Sequence, residues 1–104
     1  MFYSANAYDS ADYAVGVARA TSPTGPFTKL PDPVLVSDAV AAGPGHCAVF
    51  AVGDQLWMVY HAWPPDGVGS VIPGRTMWLS EVELSADAVT VTPPTELYPR
   101  RPLG

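Results

Sequence analysis

The chain has 104 residues, of which 48% are hydrophobic and 14% charged, and its formal net charge is −5. That length suits one domain with enough apolar side chains to build a core. The acidic balance excludes nucleic acid as a partner, because a phosphate backbone demands clustered cations and the one basic pair, Arg100-Arg101, lies among prolines near the terminus.

Taken in chain order, the residues read as short strands separated by Pro and Gly. Residues 1–5 are a strand already under way, and Asp12 to Ala18 is a second. Ser22-Pro23-Thr24-Gly25 is a turn leading into a short third strand, Pro26 to Lys29. Gly43-Pro44-Gly45-His46 is too rich in Gly and Pro for a helix and opens an alternating strand, Cys47 to Val52. Gly53-Asp54 is a two-residue hairpin signal, after which the chain returns as Gln55 to Trp63. Thr76 to Leu84 alternates again, with Ser80-Glu81 breaking the pattern and predicting a bulge. Ala88 to Thr92 closes the series, and Pro93 to Gly104 reads as an irregular, Pro-rich tail. With twelve Pro and nine Gly scattered along it, the chain has no segment of helical period with caps.

The strands fall into two groups, three before residue 30 and four between 46 and 92. Four antiparallel strands meandering outward are the unit of a β-propeller blade. The fold expected is therefore all-β: a partial β-propeller of about two blades, with residues 1–36 a partial blade, 43–92 a complete one and 93–104 the tail.

Both histidines of the chain belong to the predicted hairpin. Counted from its turn, His46 and His61 lie at matching distances, which predicts that they converge at one end of the two strands. Two such imidazoles suggest a site, with a pair of structural histidines as the alternative. Three Trp, five Tyr and three Phe are many for this length. Rings stiffen sheets and also stack on the apolar faces of sugars, and for Trp57, Trp63 and Trp78 packing between blades is the preferred role. Cys47, alone in an apolar strand, can form no internal disulfide and reads as a small packing residue. No apolar run is long enough to span a bilayer, which argues against a membrane partner. Residues 1–4 show no secretory pattern, and extracellular and cytoplasmic placement both stay open.

Several pieces in order resemble a known family. Tyr13-Ala14-Val15-Gly16-Val17-Ala18, Ser22-Pro23-Thr24-Gly25-Pro26-Phe27, Pro33-Val34-Leu35, Gly43-Pro44-Gly45-His46, Val59-Tyr60-His61-Ala62 and Gly74-Arg75 look like the C-terminal part of glycoside hydrolase family 43. The resemblance runs from Met1 to about Val91. It implies a five-bladed propeller acting on arabinose- or xylose-containing plant-type polysaccharides or oligosaccharides, by hydrolysis with inversion. It also implies that Met1 is an internal methionine of a longer reading frame.

Inversion requires an acid and a base, their carboxyl groups roughly 6.5–9.5 Å apart with a water between. In the family these groups lie in blades that precede the segment matching Met1, so no catalytic carboxylate is nominated here. The acids present are Asp9, Asp12, Asp32, Asp38, Asp54, Asp66, Glu81, Glu83, Asp87 and Glu96, each expected at the solvated surface.

By position, Arg75 resembles an arginine that reaches the innermost sugar, its fork matched to vicinal hydroxyls; a surface ion pair is the alternative. His61 is expected to line the same end as a substrate-binding residue, with packing as the alternative. His46 resembles an axial histidine that in the family helps hold calcium or its water shell. Because calcium prefers oxygen, any contact would run through water, and only in the intact propeller. The chain itself is expected to need no cofactor, with calcium reserved for the intact parent, and to be inactive alone. The alternatives are a non-catalytic carbohydrate-binding module and a partial propeller that self-associates through its exposed blade edges.

Overall fold

A computed structural model describes residues 1–72, 74–85 and 88–97. The architecture is all-β, as expected, apart from one short helical turn near the end of the described chain. Phe2–Ala5 (β1), Ala14–Arg19 (β2) and Thr28–Lys29 (β3) form a three-stranded antiparallel sheet in the order β1-β2-β3. Ala42–Val52 (β4), Gln55–Trp63 (β5), Thr76–Leu84 (β6) and Val89–Val91 (β7) form a four-stranded antiparallel meander in chain order. No helix among the described residues is long and apolar enough to cross a membrane.

The hairpin turn falls at Gly53-Asp54, between the paired residues Val52 and Gln55. Gly53 takes φ 60° at the first central position, as a type II′ turn requires. Alternation then sorts the second sheet into two faces. Met58, Tyr60 and Val82 point inward and meet Val15 and Leu35 of the first unit in one buried cluster, together with Val91. Burying side chains of this size contributes roughly 1.5–3 kcal/mol each, so this cluster is the main glue between the sheets. The opposite face carries Phe50, Val52 and Met77, 42%, 59% and 77% exposed.

Five expectations need correction. β4 starts at Ala42, so Gly43-Pro44-Gly45-His46 lies inside the strand; its pairing with β5 shifts register between Ala42 and Gly45 and again between Gly45 and Ala48. Pro44 cannot donate to a ladder, and Gly43, at φ 58°, leaves the extended region, so the irregularity sits where the sequence is least able to pair. β6 shows no shift at Ser80-Glu81: its pairing with β5 is continuous from Thr76 to Val82. Ser80 keeps the inward alternation because its hydroxyl, fully buried, hydrogen-bonds the Tyr60 hydroxyl at 2.8 Å. β3 is confined to Thr28–Lys29, since Pro26 has no N–H to pair. Residues Pro94–Leu97, expected to be irregular, form a 3₁₀ turn. Pro73, Ala86, Asp87 and the tail from residue 98, including Arg100-Arg101, lie outside the described residues.

Asp38 is also no solvated surface acid. Its Oδ1 accepts the N–H groups of Val40 and Ala41 at 2.8 and 3.0 Å, and its Oδ2 accepts that of Thr95 at 3.1 Å. It thereby ties the turn before β4 to the 3₁₀ segment.

Candidate functional site

The irregular half of β4 decides where the histidines go. Gly45 pairs with His61, and His46, the next residue, takes φ 54° and is exposed. Its N–H donates to Ser4 Oγ at 2.9 Å, so a strand of the first sheet holds the His46 backbone in place. The two imidazoles converge, ring centroids 5.4 Å apart and tilted by 51°.

Arg75 reaches the same end from β6. Gly74, at φ 76°, turns the chain in just before the strand, and Thr76 is then anchored against Ala62. The Thr76 hydroxyl in turn accepts the indole N–H of Trp78 at 3.2 Å. Arg75 itself is exposed and its Nη1 lies 3.4 Å from His61 Nε2. A guanidinium has no acceptor, so Nε2 must be the unprotonated nitrogen and the proton of neutral His61 sits on Nδ1. Nδ1 is buried and has no hydrogen-bond partner among the described residues. Burial lowers the His61 pKa below its ordinary value, with the positive charge of Arg75 and then His46 pushing the same way. The guanidinium also lies over two rings, Trp63 at 5.1 Å and Tyr8 at 5.8 Å from the ring centroids.

His46, His61, Arg75, Tyr60, Thr76 and Met77 line one open cleft of about 570 Å³. It contains hydrogen-bond donors, two imidazoles and apolar wall, and no carboxylate. Its lining presents hydrogen-bond donors of the kind a hydroxyl-rich ligand accepts, and it holds no pair of carboxyl groups such as an inverting hydrolysis uses. A somewhat larger hollow of about 650 Å³ lies along the β1–β2 loop, bounded by Asn6, Ser10, Tyr13 and Ser37. Three of its polar side chains are engaged within the protein: Asn6 donates to the Asp12 carbonyl, Ser10 to that of Ala7 and Ser37 to that of Ala11. The smaller cleft is the one that gathers Arg75 and both histidines.

Calcium does not fit these residues alone. The cleft presents imidazole nitrogens beside a permanent cation, where a hard divalent ion wants carboxylate and carbonyl oxygen. Among the described residues no group of three His, Cys, Asp or Glu side chains is placed to hold a metal.

Trp63 is buried and serves as the floor under Arg75, while Trp78 packs against the inter-sheet cluster. Cys47 is half-buried and burial raises its thiol pKa, which suits a packing residue and not a nucleophile. Tyr8 and Tyr13 were not singled out from the sequence as site residues. Tyr13 stacks on His61 at 6.4 Å, and Tyr8 lies beneath Arg75, both from a loop whose own strands lie in the other sheet.

Two antiparallel sheets joined face to face, with polar groups gathered where the inner strand of one begins, define a propeller-type β protein. The chain belongs to the glycosyl hydrolases family 43, whose family model matches residues 1–90. It is similar to a thermostable family-43 glycoside hydrolase, with 35% identity and a TM-score of 0.80 over 90% of this chain and 31% of that one. An endo-1,4-β-xylanase of Bacteroides thetaiotaomicron is similar at 33% identity and a TM-score of 0.75, over 88% of this chain and 32% of its own. A β-D-galactofuranosidase of Aspergillus niger is 38% identical over 61 residues, 57% of this chain and 18% of the relative. The chain thus spans about a third of the length of these two solved structures.

Proposed function

We propose that this chain supplies part of the sugar-binding wall of a glycoside hydrolase that cleaves arabinosyl or xylosyl O-glycosidic bonds with inversion. The observation that carries the reading is the convergence of Arg75, His61 and His46 on one cleft that contains no carboxylate. Arg75 donates to vicinal hydroxyls of the innermost sugar through the face of its fork not engaged by His61. His61, neutral and with Nε2 committed to Arg75, orients the guanidinium and contributes imidazole surface to the same wall. His46 lies nearer solvent and meets the ligand directly or through water. The acid and base of the inverting pair come from blades outside residues 1–104, which restricts this chain's share of the work to recognition. The named relatives act on xylan and on galactofuranosides. An L-arabinofuranosyl ring shares the ring hydroxyl arrangement of a D-galactofuranosyl one, so both names agree with a wall built for pentose-like rings.

The test is the Arg75→Ala substitution in the chain joined to its upstream blades. Charge-assisted hydrogen bonds to hydroxyls contribute roughly 1.5–3 kcal/mol each, so kcat/KM on aryl arabinosides or xylosides should fall roughly 10- to 150-fold with the melting temperature unchanged. An equal loss of folding would assign Arg75 to structure. The absence of a carboxylate in the cleft favours one second reading, a non-catalytic carbohydrate-binding module; an upstream frame lacking two Asp and a Glu would select it.

A further inference from the structure

We propose that the β1–β2 loop is the positioning element of this cleft: Tyr8 sets the guanidinium of Arg75, and Tyr13 sets the imidazole of His61. The proposal rests on the reading of Arg75 and His61 as sugar-binding residues and adds what holds them.

Three independent observations carry it. The first is ring geometry. Tyr8 is 61% exposed and contributes little to the core, yet its ring lies under Arg75, which also rests on the buried Trp63. Tyr13 stacks nearly parallel to His61, at an interplanar angle of 26°.

The second is the seat built for the loop in β4. A Cβ added to Gly45 would overlap the Tyr13 ring, and one added to Gly43 would overlap the carbonyl oxygen of Ser10. The two glycines before His46 therefore have a spatial purpose beyond strand irregularity: they let the loop of the first sheet lie directly on the strand that carries the site.

The third is that the loop is tied down. Its internal bonds run from Asn6 Nδ2 to the Asp12 carbonyl and from Ser10 Oγ to the Ala7 carbonyl, both at 2.8 Å. Ser37 Oγ then donates to the Ala11 carbonyl at 2.6 Å and accepts the Gly43 N–H at 2.7 Å, joining the loop to β4 through one hydroxyl.

The physical consequence concerns Arg75. It is exposed, with one hydrogen bond to a described residue, and a free arginine at the surface loses much side-chain entropy when it engages a ligand. Two ring faces and His61 Nε2 restrict its plane beforehand, while most of its five N–H donors stay available for hydroxyls. Tyr8 is thus a positioning residue, acting through Arg75, and Tyr13 acts through His61. What Tyr8 must supply is a ring and not a hydroxyl, so phenylalanine should replace it and leucine should not.

The experiment uses the 104-residue chain labelled with ¹⁵N at arginine and histidine, first without ligand. The Arg75 Nε–Hε resonance of the native chain should be shifted from the solvent-exposed position. Tyr8→Phe should keep that shift and Tyr8→Leu should abolish it, while Tyr13→Leu should change the imidazole ¹⁵N pattern of His61 from the single Nδ1–H tautomer to a mixture. Unchanged Arg75 and His61 signals in both leucine variants would overturn the proposal. Should Tyr8→Leu disturb folding, Tyr8→Gln at the same exposed position gives the same comparison. Titration with xylotriose or arabinotriose follows. A shift at Arg75 that needs roughly two- to fivefold more sugar in Tyr8→Leu supports the functional half, that range being what one exposed cation–π contact supplies. No shift at Arg75 in the native chain overturns the sugar role proposed above, while the ligand-free comparison still decides the positioning.

Discussion

The Tyr60–Ser80 pair is the sharpest place to test how the site strand is held. Both residues are almost fully buried, at 2% and 0% exposure, and their hydroxyls are 2.8 Å apart. Tyr60 lies on β5 next to His61 and lines the cleft, so loosening it loosens the wall. Removing either hydroxyl loses the bond and leaves the other buried without a partner, a cost of roughly 1–3 kcal/mol. For about 2 kcal/mol in a chain of this size, the melting temperature should drop by about 8–16 °C in Tyr60→Phe and in Ser80→Ala. The double variant removes both polar groups together, and its loss should fall short of the sum of the singles by about 1–2 kcal/mol. Thermal melts and urea melts followed by circular dichroism at one fixed protein concentration measure the temperature shifts and the coupling for all three. Single losses that simply add would show that the two hydroxyls do not depend on one another, and that Ser80 is tolerated inside β6 for some other reason.

Three further outcomes are expected. The chain alone should not hydrolyse arabinan, xylan or their aryl glycosides, because its cleft lacks both members of an inverting pair; turnover abolished by substituting one of its own acids would refute that. His61 has a folded pKa depressed below its unfolded value near 6.5, so its contribution to stability is present above that pH and is lost as pH falls through the folded value; a thermal melt series in which His61→Gln removes this acid-side slope checks it, and an identical slope in both proteins counts against it. The exposed face bearing Phe50, Val52 and Met77 should drive self-association, seen in sedimentation as mass rising with concentration and falling in Met77→Glu; a monodisperse monomer at all concentrations would contradict it.

The strands were legible wherever alternation and a local turn coincided. β5 and β6 follow from their own residues, and the Gly53-Asp54 turn sets the register from Val52 and Gln55 as far as Ala48 and Val59; beyond it the irregularity in β4 takes over and puts Gly45, not His46, opposite His61. What escaped depended on partners distant in the chain. Ser80 looked like a break because the hydroxyl that satisfies it belongs to Tyr60, twenty residues away. Asp38 looked like a surface acid because the N–H it accepts at Thr95 lies 57 residues on. β4 seemed to begin at its first alternating residue, since nothing local says that a Gly-Pro-Gly run will pair at all. Arg75 and the histidines could be carried over from a resemblance. Tyr8 and Tyr13 could not, because a loop between two strands carries no periodicity, and only the tertiary docking of one sheet on the other brings their rings to the cleft.

His46 holds φ 54°, a conformation that costs an L-residue roughly 1–2 kcal/mol and a glycine almost nothing. Glycine already occupies positions 43 and 45 on the same strand, so the cheaper residue was within easy reach of this backbone. A His46→Gly chain should therefore fold somewhat more firmly while losing its solvent-side imidazole. Position 46 is then a point where foldability and chemistry pull in opposite directions, and any search for sturdier variants that scores only thermal resistance will drift toward erasing it.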